Sequence, residues 1–167
     1  EMTMSQLINI FLEPGKVFAQ LKEKPTFLAP VLVILAFAIL SAMLYHFNVD
    51  AEWFMNHQIQ VLAQEMTASE LEQVKPFLPG AQASAYIAAP IILVTMSVIF
   101  ALFALYYMLA GRVSGNPTSF RHGLSLVAWS SMPMVLASLI SIIAVYTSSP
   151  QSTFESMQLL SIDPLFV

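Results

Sequence analysis

The chain has 167 residues, of which 57% are apolar and only 10% charged, with a net charge of −4 and a mean hydropathy of +0.74. A soluble domain of this composition would have no polar surface, so the bilayer is the solvent. The six basic residues form no patch, which argues against nucleic-acid binding, and the lack of cysteine removes disulfides, thiolate catalysis and Cys-based metal or iron–sulfur sites.

Residues 3–24 come first. Leu7, Ile10, Phe11, Val17, Phe18 and Leu21 recur there at helical spacing, with a restart at Pro14-Gly15, where Pro suits the first turn of a new helix. The pattern predicts an amphipathic helix or pair of helices on the cytoplasmic face. Lys16, Lys22 and Lys24 would snorkel to headgroups while Phe11 and Phe18 enter the interface. The same stripe could equally pack against the ends of the spans, and both placements are compatible in one structure.

Three stretches carry no Asp, Glu, Lys or Arg: Pro25 to Val49, Pro76 to Gly111 and His122 to Phe154. Each is wide enough to cross a hydrocarbon core of roughly 30 Å, which takes about 20 helical residues. Backbone polar groups must be satisfied within the segment in lipid, and period-two alternation is absent, so the spans are expected to be helices. The fold class is therefore all-α, a polytopic transmembrane helical bundle with spans at 27–47, 84–111 and 122–147. Pro30 and Pro90 are expected near the first turn of the first and second spans, where a missing donor matters little.

The connection 50–80 also has helical periodicity, through Trp53, Phe54, Ile59, Val61, Leu62 and Met66. Thr67-Ala68-Ser69-Glu70 is a capping-box sequence, and a second short helix should run through Leu71 and Val74 until Pro76 and Pro79-Gly80 end it. This reads as an external helical hairpin with an apolar face that covers the bundle, lies in the outer interface or meets a neighbouring subunit. At 112–121 a tight turn follows the second span, with Gly111 and Gly115-Asn116-Pro117 reversing the chain toward Phe120 and Arg121.

The third span carries Ser125, Trp129, Ser130, Ser131, Pro133, Ser138, Ser141 and Tyr146 in an otherwise apolar run. Pro133 removes a donor and frees the carbonyl near Trp129, so a kinked helix is expected, its carbonyl met by a Ser hydroxyl, a neighbouring helix or water. Helix packing is the plainer reading of these polar residues, and a solute path along Trp129, Ser130, Ser131, Pro133 and Ser138 is the alternative. Small residues four apart, Ala38 and Ala42, Ala85 and Ala89, Ala137 and Ser141, permit close approach of neighbours.

Lys16, Lys22 and Lys24 precede the first span, Arg112 and Arg121 flank the 111–122 connection, and only Lys75 lies in the longer one. Positive charge marks the cytoplasmic side, which puts the N-terminus inside, the hairpin outside and the tail 148–167 outside. His46, His57 and His122 fall on two sides of the membrane and cannot share a metal, and no His-Glu-x-x-His, Gly-x-Ser-x-Gly or intramembrane carboxylate pair occurs. No enzyme activity, metal or other cofactor is expected.

Several segments together carry a family resemblance. They are Phe11-Leu12-Glu13-Pro14-Gly15-Lys16-Val17-Phe18, Lys24-Pro25-Thr26-Phe27-Leu28-Ala29-Pro30, and Met66 through Gln73. The most specific runs from Gly111-Arg112-Val113-Ser114-Gly115-Asn116-Pro117 through Phe120-Arg121-His122-Gly123 to Trp129-Ser130-Ser131-Met132-Pro133. The chain resembles bacterial members of the Yip domain family, the Ypt/Rab-interacting proteins, over nearly its whole length. The resemblance implies a multi-pass protein of the bacterial inner membrane with five spans, of which this sequence supplies three. Either the last two are missing after Val167 or the chain departs from the family; the apolar final residues favour the first.

Eukaryotic relatives bind Rab GTPases through a long hydrophilic cytoplasmic region, whereas only about two dozen residues precede the first span here, so GTPase binding is not carried over. What remains is a non-enzymatic membrane protein that organises the bilayer or scaffolds partners. Membrane lipids, further copies of the chain or other membrane proteins are the expected partners. A channel or transporter for a small solute, or an accessory subunit of a membrane complex, is the alternative.

Overall fold

The computed structural model describes residues 4–157, and every regular element among them is helical. Two amphipathic helices open the chain, α1 (Met4–Leu12) and α2 (Pro14–Glu23), with Pro14 in the first turn of α2 as its fixed φ favours. Then come α3 (Leu28–Asn48), the hairpin α4 (Ala51–Glu65) and α5 (Ala68–Val74), α6 (Ala81–Val113), α7 (Phe120–Ser130) and α8 (Pro133–Thr147). Single 3₁₀ turns cover Lys75–Phe77 and Glu155–Met157. The tail expected over 148–167 is described only as far as Met157, so Asp163 and the apolar ending lie outside the described residues.

Two features differ from the sequence expectation. Pro90 lies inside α6, ten residues into a 33-residue helix, not at its first turn. The apolar residues before it continue the helix backwards to Ala81, and at about 1.5 Å per residue α6 is about 50 Å long, well beyond one hydrocarbon core. The third span is broken rather than kinked. Ser131 and Met132 form a turn closed by short-range bonds, Met132 N–H to the Trp129 carbonyl (3.3 Å) and Met134 N–H to the Ser131 carbonyl (2.9 Å). The carbonyl that Pro133 leaves free is thus met by the backbone of the turn, while the Ser130 hydroxyl bonds the Val127 carbonyl at 3.1 Å. Pro133 then opens α8, the position where its missing donor costs least.

The described residues fall into two compact units. Of these, residues 4–38 and 91–136 make one unit, and 39–90 and 137–157 the other. The first is built around Trp129, fully buried with Ile10, Val17, Leu21, Ile34, Phe100, Val127 and Met132. Helix α2 lies on α7, so the amphipathic N-terminal pair belongs to this core.

In the second unit the buried cluster is Tyr45, Val49, Ala81, Ala144, Val145 and Met157, with Trp53, Phe54 and Phe154 packed against it. The hairpin therefore joins through its first turn and leaves Val61 and Phe77 exposed. Asp50 starts α4 by accepting the Trp53 N–H at 2.7 Å, and its own N–H donates to the Pro150 carbonyl at 2.9 Å. Thr67 and Glu70 complete the capping box that starts α5. Ser41, Ala42, Ala85, Ser141 and Ala144 are buried, the small-residue set that lets membrane helices approach closely.

Candidate functional site

The first unit holds the features most specific to this chain, and they begin with a proline. Pro30 is the third residue of α3 and is fully buried. Helical geometry pairs the carbonyl of Thr26 with the N–H of residue 30, which proline lacks, so that carbonyl is orphaned in an apolar setting. Two side chains of α7 replace the missing donor: Ser125 Oγ donates to the Thr26 carbonyl at 2.7 Å and Trp129 Nε1 at 2.8 Å. Ser125 and Trp129 are four apart and share one helix face, which is why one carbonyl can receive both.

A second contact lies one helical turn back along α7. Ser119 caps the helix by accepting the His122 N–H (3.3 Å), and its hydroxyl is 2.7 Å from His122 Nδ1. Nε2 of the same ring is 3.2 Å from the Lys22 carbonyl, which requires Nε2 to carry a proton. In the neutral ring Nδ1 then accepts from Ser119. His122 thereby ties the end of α2 to the start of α7.

The connection between α6 and α7 is a Schellman motif. The Asn116 N–H bonds the Gly111 carbonyl at 2.9 Å and the Gly115 N–H bonds the Arg112 carbonyl at 3.3 Å, with Gly115 at φ +74°. Pro117 follows, and the chain folds back over the helix end, where Thr118 Oγ1 donates to the Tyr107 carbonyl at 3.2 Å. A Cβ on Gly111 would lie 2.6 Å from Thr118 Oγ1 and 2.7 Å from the Asn116 carbonyl oxygen, so the turn closes only over glycine. Farther along, a Cβ on Gly123 would lie 2.5 Å from the Ala104 carbonyl oxygen, which marks direct backbone contact between α6 and α7.

These elements enclose a groove of about 440 Å³, walled by Phe18, Leu21 and Lys22 of α2, Tyr107, Ala110 and Gly111 of α6, Ser114, Asn116 and Thr118 of the turn, and His122, Gly123 and Leu126 of α7. Its size falls within the roughly 300–1,000 Å³ of small-molecule sites. Of the candidate interface and turn residues, Phe18, Lys22 and Gly111 line it, as do Leu21, Asn116 and His122, which the sequence also brought out. Gly115 lies in the turn itself, Arg112 in the last turn of α6, and Phe120 and Arg121 in the first turn of α7, and all four are exposed. Phe11 and Lys24 are exposed, and Lys16 pairs with Glu13 at 2.7 Å.

The polar residues of the third span do not gather into one site. Trp129 is buried, Ser130 bonds its own helix, Ser131 ends α7, Pro133 starts α8, and Ser138 lies in the second unit. Sequence reasoning missed the roles of Thr26, Ser119 and Tyr107. Pro30 four residues after Thr26 was the available signal for the first, and Ser119 three before His122 for the second. For Tyr107, only the fold-back of Thr118 reveals it.

The charges divide unequally as well. All the basic residues but Lys75 lie in the first unit, and of the eight acids among the described residues six lie in the second. Among the described residues Lys22, Lys24, Arg112 and Arg121 form no ion pair.

Three of these features, the length and hydropathy of residues 28–48, 81–113 and 120–147, define a polytopic helical membrane protein. The sequence profile of the Yip1 domain matches residues 8–165, and the chain belongs to that family. It is 27% identical over 161 residues to Membrane protein YknW of Bacillus subtilis (strain 168), which covers 95% of this chain and 64% of that protein. The chain thus spans somewhat less than two thirds of the length of that relative. No solved structure matches it.

Proposed function

We propose that the chain is a non-enzymatic protein of the bacterial inner membrane, N-terminus inside, that organises the bilayer or scaffolds membrane partners through its basic unit. The observation that carries this reading is the second face of α1. Leu7 and Ile10 pack with the core, while Met4, Ile8, Phe11 and Leu12, at i, i+4, i+7 and i+8, are 75, 55, 40 and 72% exposed. A contiguous apolar stripe of this kind is unfavourable in water and favourable in the headgroup boundary of a bilayer. Lys22 and Lys24, which form no ion pair among the described residues, accompany it on and just after α2, suited to anionic headgroups. The N-terminal pair is therefore anchored on one side and has lipid or a partner to meet on the other.

The buried polar groups of the third span support this reading over a solute path. Ser125 and Trp129 are engaged with Thr26, and the stretches 25–49, 76–111 and 122–154 carry no Asp, Glu, Lys or Arg, while His46 and His122 stand near the ends of theirs.

Reconstitution into anionic vesicles tests the proposal. The double substitution Ile8→Ser and Leu12→Ser should leave the helical circular dichroism and thermal midpoint unchanged and abolish any effect on vesicle shape and on recovery of membrane partners. Unchanged remodelling and unchanged recovery would overturn it, as would solute flux through vesicles containing the purified chain.

A further inference from the structure

The groove of the first unit has walls of two kinds. Phe18, Leu21, Tyr107, Ala110 and Leu126 make it apolar, and most of the polar groups around it are already engaged. Ser114 Oγ donates to the Ala110 carbonyl (2.8 Å), Thr118 Oγ1 to the Tyr107 carbonyl (3.2 Å), and both His122 ring nitrogens have partners. The charge left uncommitted on the wall, among the described residues, is the ammonium of Lys22. Apolar walls with a single free cation match an amphiphile that has an anionic head and a hydrocarbon chain.

We propose that this groove binds one anionic phospholipid, its phosphate paired with Lys22 and an acyl chain lying against Tyr107, Ala110 and Leu126. Two further observations select a lipid. Tyr107 and Ala110 belong to α6, one of the helices long and apolar enough to cross a membrane, so the groove adjoins a helix suited to contact lipid. The unit also holds five of the six basic residues, and Arg112 and Arg121, without an ion pair among the described residues, sit next in sequence to the wall residues Gly111 and His122. That charge complements phosphatidylglycerol and gives phosphatidylcholine no advantage. The proposal deepens the bilayer-organising reading and rests on it, since it names the lipid class that the basic unit selects.

The test is lipid retention. The full chain is reconstituted in nanodiscs holding equal phosphatidylglycerol and phosphatidylcholine, extracted gently, and its bound lipid counted by native mass spectrometry. The wild type should retain phosphatidylglycerol preferentially; Lys22→Gln should cut that preference by about fivefold, the value of one interfacial cation. Ala110→Trp, which fills the groove, should lower retention of both lipids, and inorganic phosphate should displace neither. Equal retention of the two lipids by the wild type, an unchanged preference in Lys22→Gln, or displacement by inorganic phosphate would overturn the proposal. Lys22 is exposed, so its variant answers even if Ala110→Trp does not fold. The stripe variant Ile8→Ser with Leu12→Ser leaves the groove intact. Loss of its vesicle effect with retained lipid selectivity would separate the two readings, as would the converse.

Discussion

Trp129 Nε1 donates to the carbonyl of Thr26 at 2.8 Å across 103 residues of sequence, filling the place of the amide that Pro30 lacks. The buried indole therefore acts as a hydrogen-bonding piece of α3 as well as the centre of an apolar core, and it shares the task with Ser125. Trp129→Phe should accordingly destabilise the protein by about 1 kcal/mol beyond the packing lost with the larger ring, because Ser125 still serves the carbonyl. Adding Ser125→Ala should cost more than the sum of the single changes, since only the pair orphans the acceptor. Pro30→Ala restores an N–H at the missing position and should partly rescue the double variant. Thermal unfolding in detergent reads all four, and an additive pair without rescue would refute the relationship.

Gly123 meets backbone, not side chain, at Ala104. Gly123→Ala should therefore cost about 1–3 kcal/mol, the range for overpacking a filled interior. Ala104→Gly should give no relief, because the obstructing atoms are the carbonyl and Cα of residue 104. Thermal midpoints of the single and double variants distinguish this from ordinary side-chain crowding, in which the smaller partner would compensate.

Glu70 makes the helix cap of α5 sensitive to pH. The Thr67 backbone N–H (2.9 Å) and hydroxyl (2.8 Å) both bond its carboxylate, the backbone contribution being larger, and hold the carboxyl below its ordinary value. Because the folded value is lowered, the cap's contribution is complete above the unfolded carboxylate value and is lost as pH falls through the folded one. Amide hydrogen exchange in α5 should accelerate on acidification through that window. Glu70→Gln should flatten the response, and an identical pH profile in the variant would show that the cap is not its source.

Ser41 Oγ is buried without a hydrogen-bond partner among the described residues. Removing an unpaired buried hydroxyl costs nothing in bonding, so Ser41→Ala should raise stability by about 1 kcal/mol or less. A clear loss in the thermal midpoint would reveal a role for the hydroxyl that its surroundings do not show.

Much of this architecture is legible in short stretches of the chain. Pro14 announces the restart at α2, Thr67 and Glu70 announce α5, and Gly115-Asn116-Pro117 announces the turn after α6. Each signal acts within one or two helical turns, where a missing donor, a cap or a left-handed residue has the same meaning in any fold. Pro90 and Pro133 show where the local rule falls short. Proline marks a missing hydrogen bond but not the remedy: at Pro90 the helix runs through, while at Pro133 the chain breaks and restarts.

By itself the sequence determined that this is a helical membrane protein with three apolar spans, a basic N-terminal pair and a capped hairpin. Hydropathy, caps and charge are read one segment at a time, and the bilayer enforces the first of them. Only the tertiary structure decided that Thr26, Ser125 and Trp129 share one carbonyl, that His122 reaches Lys22, and that α2, α6 and α7 enclose a groove. Those contacts join residues about a hundred positions apart, and which partner an orphaned polar group finds depends on packing that no local pattern encodes.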